Sequence, residues 1–364
     1  MRKRFWASLA IAGLCASLAG CGDSTEIGSD ATVTVYVSLP LTGPHGSEGR
    51  DSADGARLAL EQAEGKAGSI QVRAVYLDDA KGKIWDPVAV GANARRAVQD
   101  SSAAAYIGEL DSEPTRASVP ITNDAGLVQV SPGAGGVDLT QPAAGYPNSP
   151  DRYRPSGAPN FARTVPSDAV VADAAADWTS ELGVKSATAI SDDNPFQNLM
   201  ASEFSSAATE HGIQVQVTKG TSGGKAALVY YPGGLTSTGG QILQEGGRPA
   251  PPRRELRAEV ALANLRGRSL IGSFSKRFHR AASPYAAYGY ESMELVLQAI
   301  RAAGTDASSF RDNIRNGVFG AHRDGTVLGS YSITSDGDTT ECMIQRYEGE
   351  RPHAATLGAP CPQR

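Results

Sequence analysis

From residue 32 onward the chain switches repeatedly between two hydrophobic periods. Runs such as TVTVYVSL (32–39) and IQVRAVYLD (70–78) are rich in β-branched and aromatic residues and predict strands. Residues 52–64 instead place apolar positions three and four apart, the pattern of one helix face. The same reading predicts a helix to about residue 99, with Asp86 as its cap and Pro87 in its first turn. Strand 103–110, helix 113–124 and strand 127–133 follow. Residues 138–160, rich in Pro, Gly, Asn and Tyr, carry neither period and read as a long surface loop. A second series starts at Phe161: a helix to about 182 capped by Ser167, strand 185–193, helix 196–211, and strands 213–218 and 226–234. Residues 283–304 have a strong helical period, 306–316 a further helix, and 329–349 a hairpin turning at Asp336-Gly337. Strands alternating with helices imply parallel sheets with crossover helices.

One stretch, 246–273, departs from this regularity. Pro251 and Pro252 forbid regular structure locally, residues 255–267 have helical period, and SLIG is the only apolar run after them. The expectation is a shortened second lobe whose sheet lacks a central strand and exposes its edges.

The chain ends decide the compartment. Arg2, Lys3 and Arg4 precede an apolar run, 5–18, that is shorter than the roughly 18 residues of a membrane span. It closes in Leu18-Ala19-Gly20-Cys21, which looks like a bacterial lipobox; the competing reading is an ordinary signal peptide with an incidental cysteine. Residues 1–20 are then a lipoprotein signal peptide and 21–30 a polar tether carrying lipid on Cys21. Such an anchor holds a domain on the extracytoplasmic face, in the periplasm or at the cell surface, without a spanning helix. Of four cysteines, Cys15 leaves with the signal peptide, and Cys342 and Cys361 are expected to pair as a disulfide. His353 alone stands beside them, too few ligands for zinc.

Charge and motifs narrow the function. The net charge is −5, or −8 without Arg2, Lys3 and Arg4, which argues against nucleic acid as a partner. Gly223-Gly224-Lys225 lacks P-loop spacing, and no His forms H-E-x-x-H. Ser273 and Lys276 match S-x-x-K without the accompanying S-D-N and K-T-G motifs, so an exported hydrolase is a remote alternative. No catalytic residue, metal or cofactor is assigned.

Six segments occur in a telling order: LPLTGPHGSEGRDSADGARLA, DDAKGKIWDPVAVGANARRAV, AYIGELDSEPTRASVPITNDAGLVQVSPGAGGVDLT, FARTVPSDAVVADAAADW, AISDDNPFQN and PYAAYGYESMELVLQAI. Across 32–316 the chain resembles the leucine/isoleucine/valine-binding proteins, substrate-binding lipoproteins of branched-chain amino acid ABC transporters. The resemblance implies an α/β type I periplasmic binding protein: two doubly wound Rossmann-like lobes, three crossovers and an interlobe ligand cleft that closes by hinge motion. Lobe I comprises 31–160 with 284–325, lobe II 161–283 with 326–348, and 349–364 form a tail.

The resemblance also implies a site. Thr42 and Gly43, Asp111 and Ser112, and the loop of Ser131, Gly133, Ala134 and Gly135 follow strand ends, where α/β sheets bind ligands. Ser112 matches a serine that grips the ligand's α-carboxylate, and Gly133 a backbone contact. Gly135 stands where the family has threonine, Phe196 where a tyrosine closes on the ligand, and Glu48 where a relative has tyrosine. Asp111 and Glu109 read as solvated loop acids, with an ammonium partner as the alternative for Asp111. Two lost hydroxyl contacts, at about 1.5–3 kcal/mol each with charged groups, keep an amide, a short peptide or an aromatic acid open beside a free amino acid. The implied function is capture without chemistry by a monomer that hands a small amino-acid-like solute to an ABC transporter permease. The alternative is a sensor component presenting its solute to a membrane receptor.

Overall fold

The computed structural model describes residues 32–191, 195–219, 227–232, 254–260, 268–340, 344–348 and 351–352, with the backbone alone at 195–196, 254–260, 268, 345–348 and 351–352. Cys21, Cys342 and Cys361 lie outside these residues. The first sheet contains β1 (Thr32–Leu39), β2 (Lys66–Ala67), β3 (Ile70–Asp78), β4 (Ala103–Ile107), β5 (Gln129–Ser131) and β6 (Phe161–Arg163). Its order is β2-β3-β1-β4-β5-β6, parallel except at β2. The period of two along β1 explains its burial on both faces. Val33, Val35 and Val37 enter one core with α1 (Gly46–Gln62), α6 (Arg268–Phe278), α7 (Pro284–Ala302) and α8 (Phe310–Phe319). Tyr36 enters another, with residues of α2 (Pro87–Gln99) and α3 (Ser112–Asp124).

The second sheet contains β7 (Ser186–Ser191), β8 (Gln214–Lys219), β9 (Leu228–Tyr230), β10 (Arg254–Val260), β13 (Ile344–Glu348) and β14 (Arg351–Pro352), in the order β14-β13-β10-β9-β7-β8. α4 (Asp168–Glu181) and α5 (Pro195–Glu210) contribute Ala172, Ala176, Trp178 and Phe204 to its core. β11 (His322–Thr326) and β12 (Gly329–Ser332) pair as a separate antiparallel ribbon.

Local chemistry sets several boundaries where the pattern puts them. The Asp86 side chain accepts from Val88 N and Ala89 N ahead of α2, and Ser167 accepts from Val170 N ahead of α4. Elsewhere the structure differs. β10 occupies the stretch whose period reads as helical, and it lies centrally between β9 and β13, so the second sheet does not lack its middle strand. Glu255 to Val260 also alternates polar and apolar, which is the period that prevails once two neighbouring strands supply hydrogen bonds. SLIG forms part of α6 rather than a strand. Residues 138–160 are not a surface loop throughout: Asp138, Leu139 and Tyr153 are buried, the first two in a 3-10 turn (Val137–Leu139) and the third in another (Asp151–Tyr153). β6, the expected head of the second series, is the edge strand of the first sheet. The turn at Asp336-Gly337 forms, but its flanks part. β12 pairs backward with β11 and β13 joins the second sheet.

Helices α1 and α7 cross at two glycines. A Cβ on Gly55 would lie 2.0 Å from Ala286 O, and one on Gly289 2.0 Å from Ser52 O. Backbone against backbone leaves no side chain to yield. Gly289→Ala is therefore expected to lower stability by about 1–3 kcal/mol in urea unfolding, as overpacking does.

Candidate ligand-binding site

The loops after β1, β3, β4 and β5 meet at one edge of the first sheet and hold one another by named contacts. Thr42 Oγ1 donates to Asp78 Oδ2 at 2.8 Å and accepts from Gly82 N at 2.7 Å. Burial opposes ionisation of Asp78, but hydrogen bonds from Thr42, Ala80, Leu41 and Lys81 prevail and hold its carboxyl below the ordinary value. Gly43, at φ +77°, lies so close that a Cβ would sit 2.1 Å from Lys83 O. Thr42 and Gly43 are thus clamped to the loop after β3, and both are exposed.

Asp111 is a partnered acid: its Oδ2 lies 2.9 Å from His45 Nδ1. That hydrogen bond raises the His45 pKa against the opposing effect of burial. Glu109, read as a solvated acid, is 0% exposed, and Tyr106 donates to its Oε1 at 2.6 Å. The turn that carries it folds inward beneath the sheet edge, which sequence spacing alone does not reveal.

Ser131 builds its own loop. Its hydroxyl donates to Glu109 O at 2.6 Å and accepts from Gly133 N and Ala134 N at 3.2 and 2.8 Å. Ala134 is buried, and a Cβ on Gly133 would lie 2.4 Å from Leu110 O. Ser112 neither caps α3 nor stands free; its Oγ accepts from Gly136 N at 2.9 Å. That bond fills one lone pair and leaves the hydroxyl hydrogen to donate elsewhere.

The space beside Gly135 is occupied by a residue of α4, which packs on the second sheet. A Cβ on Gly135 would lie 2.2 Å from Asp168 Oδ1, and Asp168 N donates to Gly135 O at 2.8 Å. Burial pushes the Asp168 carboxyl up to about 6, against the pull of Arg163 and Arg116. Arg116 grips Asp138 with two bonds, Nε to Oδ2 at 2.8 Å and Nη2 to Oδ1 at 2.6 Å. Sequence reasoning missed Asp168, Arg116 and Asp138. The available signal was an acid directly after a capping serine, in a helix first turn that favours negative charge. The backbone of Phe196 opens α5, while its side chain lies outside the described residues.

The family model for periplasmic binding proteins matches residues 32–244, more than half of the chain. The chain belongs to that family. Solved structures agree on the fold. An ABC transporter substrate-binding protein from Desulfitobacterium hafniense in complex with Leu aligns at a TM-score of 0.70 and 18% identity, covering 88% of this chain and 99% of that one. A leucine-binding protein from Thermotoga maritima aligns at 0.68 and 19%, covering 89% and 98%. A solute-binding protein from Rhodopseudomonas palustris in complex with 3,4-dihydroxybenzoic acid aligns at 0.72 and 16%, covering 91% and 98%. No curated protein matches significantly. Among the described residues no helix is long and apolar enough to cross a membrane, and no group of three His, Cys, Asp or Glu residues is placed to hold a metal. Ser273 and Lys276 of the S-x-x-K match lie on α6.

In this periplasmic binding protein the loop after β5 and two crossovers between the sheets share one buried cation. Arg163 ends β6, just before the chain passes to α4. Its Nε donates to Asp338 Oδ1 at 2.6 Å, its Nη1 to Ala134 O and Gly136 O at 3.0 and 2.9 Å, and its Nη2 to Thr140 Oγ1. Asp338 belongs to the later crossover between β12 and β13, and Gly337 O accepts from Arg163 N at 3.0 Å. Arg163→Met preserves length and removes every side-chain donor, leaving Asp338 without its cation and Ala134 O without the guanidinium donor, although Thr140 and Gln141 still bond to Asp338 and Leu139 N to Gly136 O. It should lower stability by about 3–5 kcal/mol in denaturant unfolding, the usual cost of breaking a buried pair from one side.

Proposed function

We propose that this protein is a lipid-anchored, extracytoplasmic receptor that captures a small amino-acid-like solute between its lobes and passes it to the permease of an ABC transporter. In this reading Cys21 carries the anchor, Cys342 and Cys361 form a disulfide, and the monomer performs no covalent chemistry. One observation carries it: a hydroxyl and a carboxyl flank the Gly135-Gly136 dipeptide. A Cβ on Gly136 would lie 3.0 Å from Ser112 Oγ and one on Gly135 2.2 Å from Asp168 Oδ1. The Ser112 hydroxyl is left with a hydrogen for a carboxylate, at the first residue of α3, where the helix dipole favours an anion. Asp168, from the other lobe, offers an acceptor for an ammonium. A zwitterion would therefore engage both lobes, and only such a difference in affinity between open and closed forms drives closure.

Isothermal titration with leucine, isoleucine and valine tests the reading. Ser112→Ala should weaken binding of the preferred amino acid by about 1.5–3 kcal/mol, roughly 10- to 150-fold. No measurable binding of any amino acid to the full chain would sink it. The pH dependence is a separate check. Asp168, with its pKa raised to about 6, must be ionised to hold an ammonium, so affinity should fall about tenfold between pH 7 and pH 5. Asp168→Asn should remove that dependence.

Gly135 favours a second reading. With no hydroxyl at that position, an aromatic carboxylate would use Ser112 and the α3 terminus and make no demand on Asp168 for a cation partner. Its affinity would hold or rise below pH 6, where Asp168 is neutral. Titration with benzoate over the same pH range separates the two.

A further inference from the structure

Three carboxylate oxygens are buried at the ligand edge of the first sheet without a donor: both Oδ atoms of Asp79 and Oε2 of Glu109. Asp79 is 1% exposed and Glu109 0%. They follow β3 and β4, the strands on either side of β1. No lysine or arginine bonds to either carboxyl among the described residues; the groups around them are otherwise polar or acidic. β4 supplies Tyr106, whose hydroxyl donates to Glu109 Oε1 at 2.6 Å. β1 supplies Ser38, whose Oγ accepts from Asn93 of α2 at 3.0 Å. Asp78 and Asp111 act on Asp79 as further negative charges, and His45 ahead of α1 bonds to Asp111 while also feeling the Asp79 charge from a distance.

Two carboxylates adjacent in a water-excluded site, with no cation between them, cannot both ionise. Asp79 acts on Glu109 as a nearby negative charge, and with no donor to their free oxygens a proton on one carboxyl both removes that repulsion and supplies the missing donor. We infer that Asp79 and Glu109 form a buried proton-binding site, in which one shared proton locks together two loops that carry candidate ligand residues. Asp79 opens the loop that clamps Thr42 and Gly43; its N donates to Leu39 O at 3.1 Å and its O accepts from Asp86 N at 2.8 Å. Glu109 precedes Asp111 and Ser112, and its carbonyl is the acceptor for Ser131 Oγ. Removing the proton sets two negative charges against each other and drives these loops apart. A receptor exposed to the external medium thereby senses acidity at its ligand edge.

The sign follows from burial, which raises both groups and takes Asp79 to about 7. The folded chain holds the proton to higher pH than the unfolded chain. Its stabilisation is complete below the unfolded value of about 4 and is lost as pH rises to about 7. The test uses the full chain without solute, so it stands apart from whether leucine binds. Carboxyl carbon NMR of the wild type should show one Asp titrating near neutrality, with a Glu signal that moves in the same step. In Glu109→Gln, whose amide donates to Asp79, the Asp signal should move to an ordinary carboxylate range. Urea unfolding from pH 4 to 8 should show the wild-type folding equilibrium weakening relative to that variant by up to about tenfold per pH unit, until about pH 7. If no coupled pair titrates near neutrality in the wild type, the site does not exist. A flat difference between wild type and a folded Glu109→Gln variant would equally overturn it. Should the variant fail to fold, the wild-type spectrum alone decides.

Discussion

Among the described residues, Arg163 is one of the largest side chains that the fold removes wholly from water. A buried guanidinium costs several kcal/mol in lost hydration, and that cost is offset only when its donors are satisfied and its charge is met. Here Asp338, Thr140 and the carbonyls of Ala134 and Gly136 accept from it. Those acceptors come from the loop after β5, the segment that follows it, and the later crossover between the sheets. The loop of Gly133 to Gly136 is therefore tied to both crossovers between the sheets through one side chain. Thr164, the next residue, extends the same joint toward α7 through Ser292 Oγ at 2.9 Å.

Around that joint, acids of the same chemical type are set to different tasks by their surroundings. Asp78 is supplied with several hydrogen-bond donors and stays ionised, which suits it to hold the Thr42 loop. Burial raises Asp168 to about 6 despite the opposing charges of Arg163 and Arg116, so it titrates within reach of ordinary pH. Asp79 and Glu109 have neither cation nor enough donors, and burial dominates them. Donor supply against desolvation decides each case.

The elements most readable from the sequence are those whose ends are chemically marked. Asp86 with Pro87 and Ser167 with its following acid announce α2 and α4, because a cap is a contact between residues two or three apart. β10 was obscured because its six alternating residues also satisfy a helical period over a longer window, and only its neighbours β9 and β13 decide between them. The start of α1 at Gly46 was hidden for a related reason. Its first turns carry Gly, Ser and acidic residues that read as loop, yet Gly46, Gly49 and Asp51 are buried by tertiary packing.

Local spacing was enough to establish the alternation of strands and helices, the caps and the order of motifs that marks the family, since each depends on near neighbours along the chain. Which acids are buried, which hydroxyls are already engaged, and the filling of the space beside Gly135 by Asp168 were settled in three dimensions. These properties arise between residues tens of positions apart, as with Ser112 and Gly136 or Arg163 and Asp338. Desolvation and partner geometry exist only after the chain has brought such residues together, so no periodicity along the sequence encodes them.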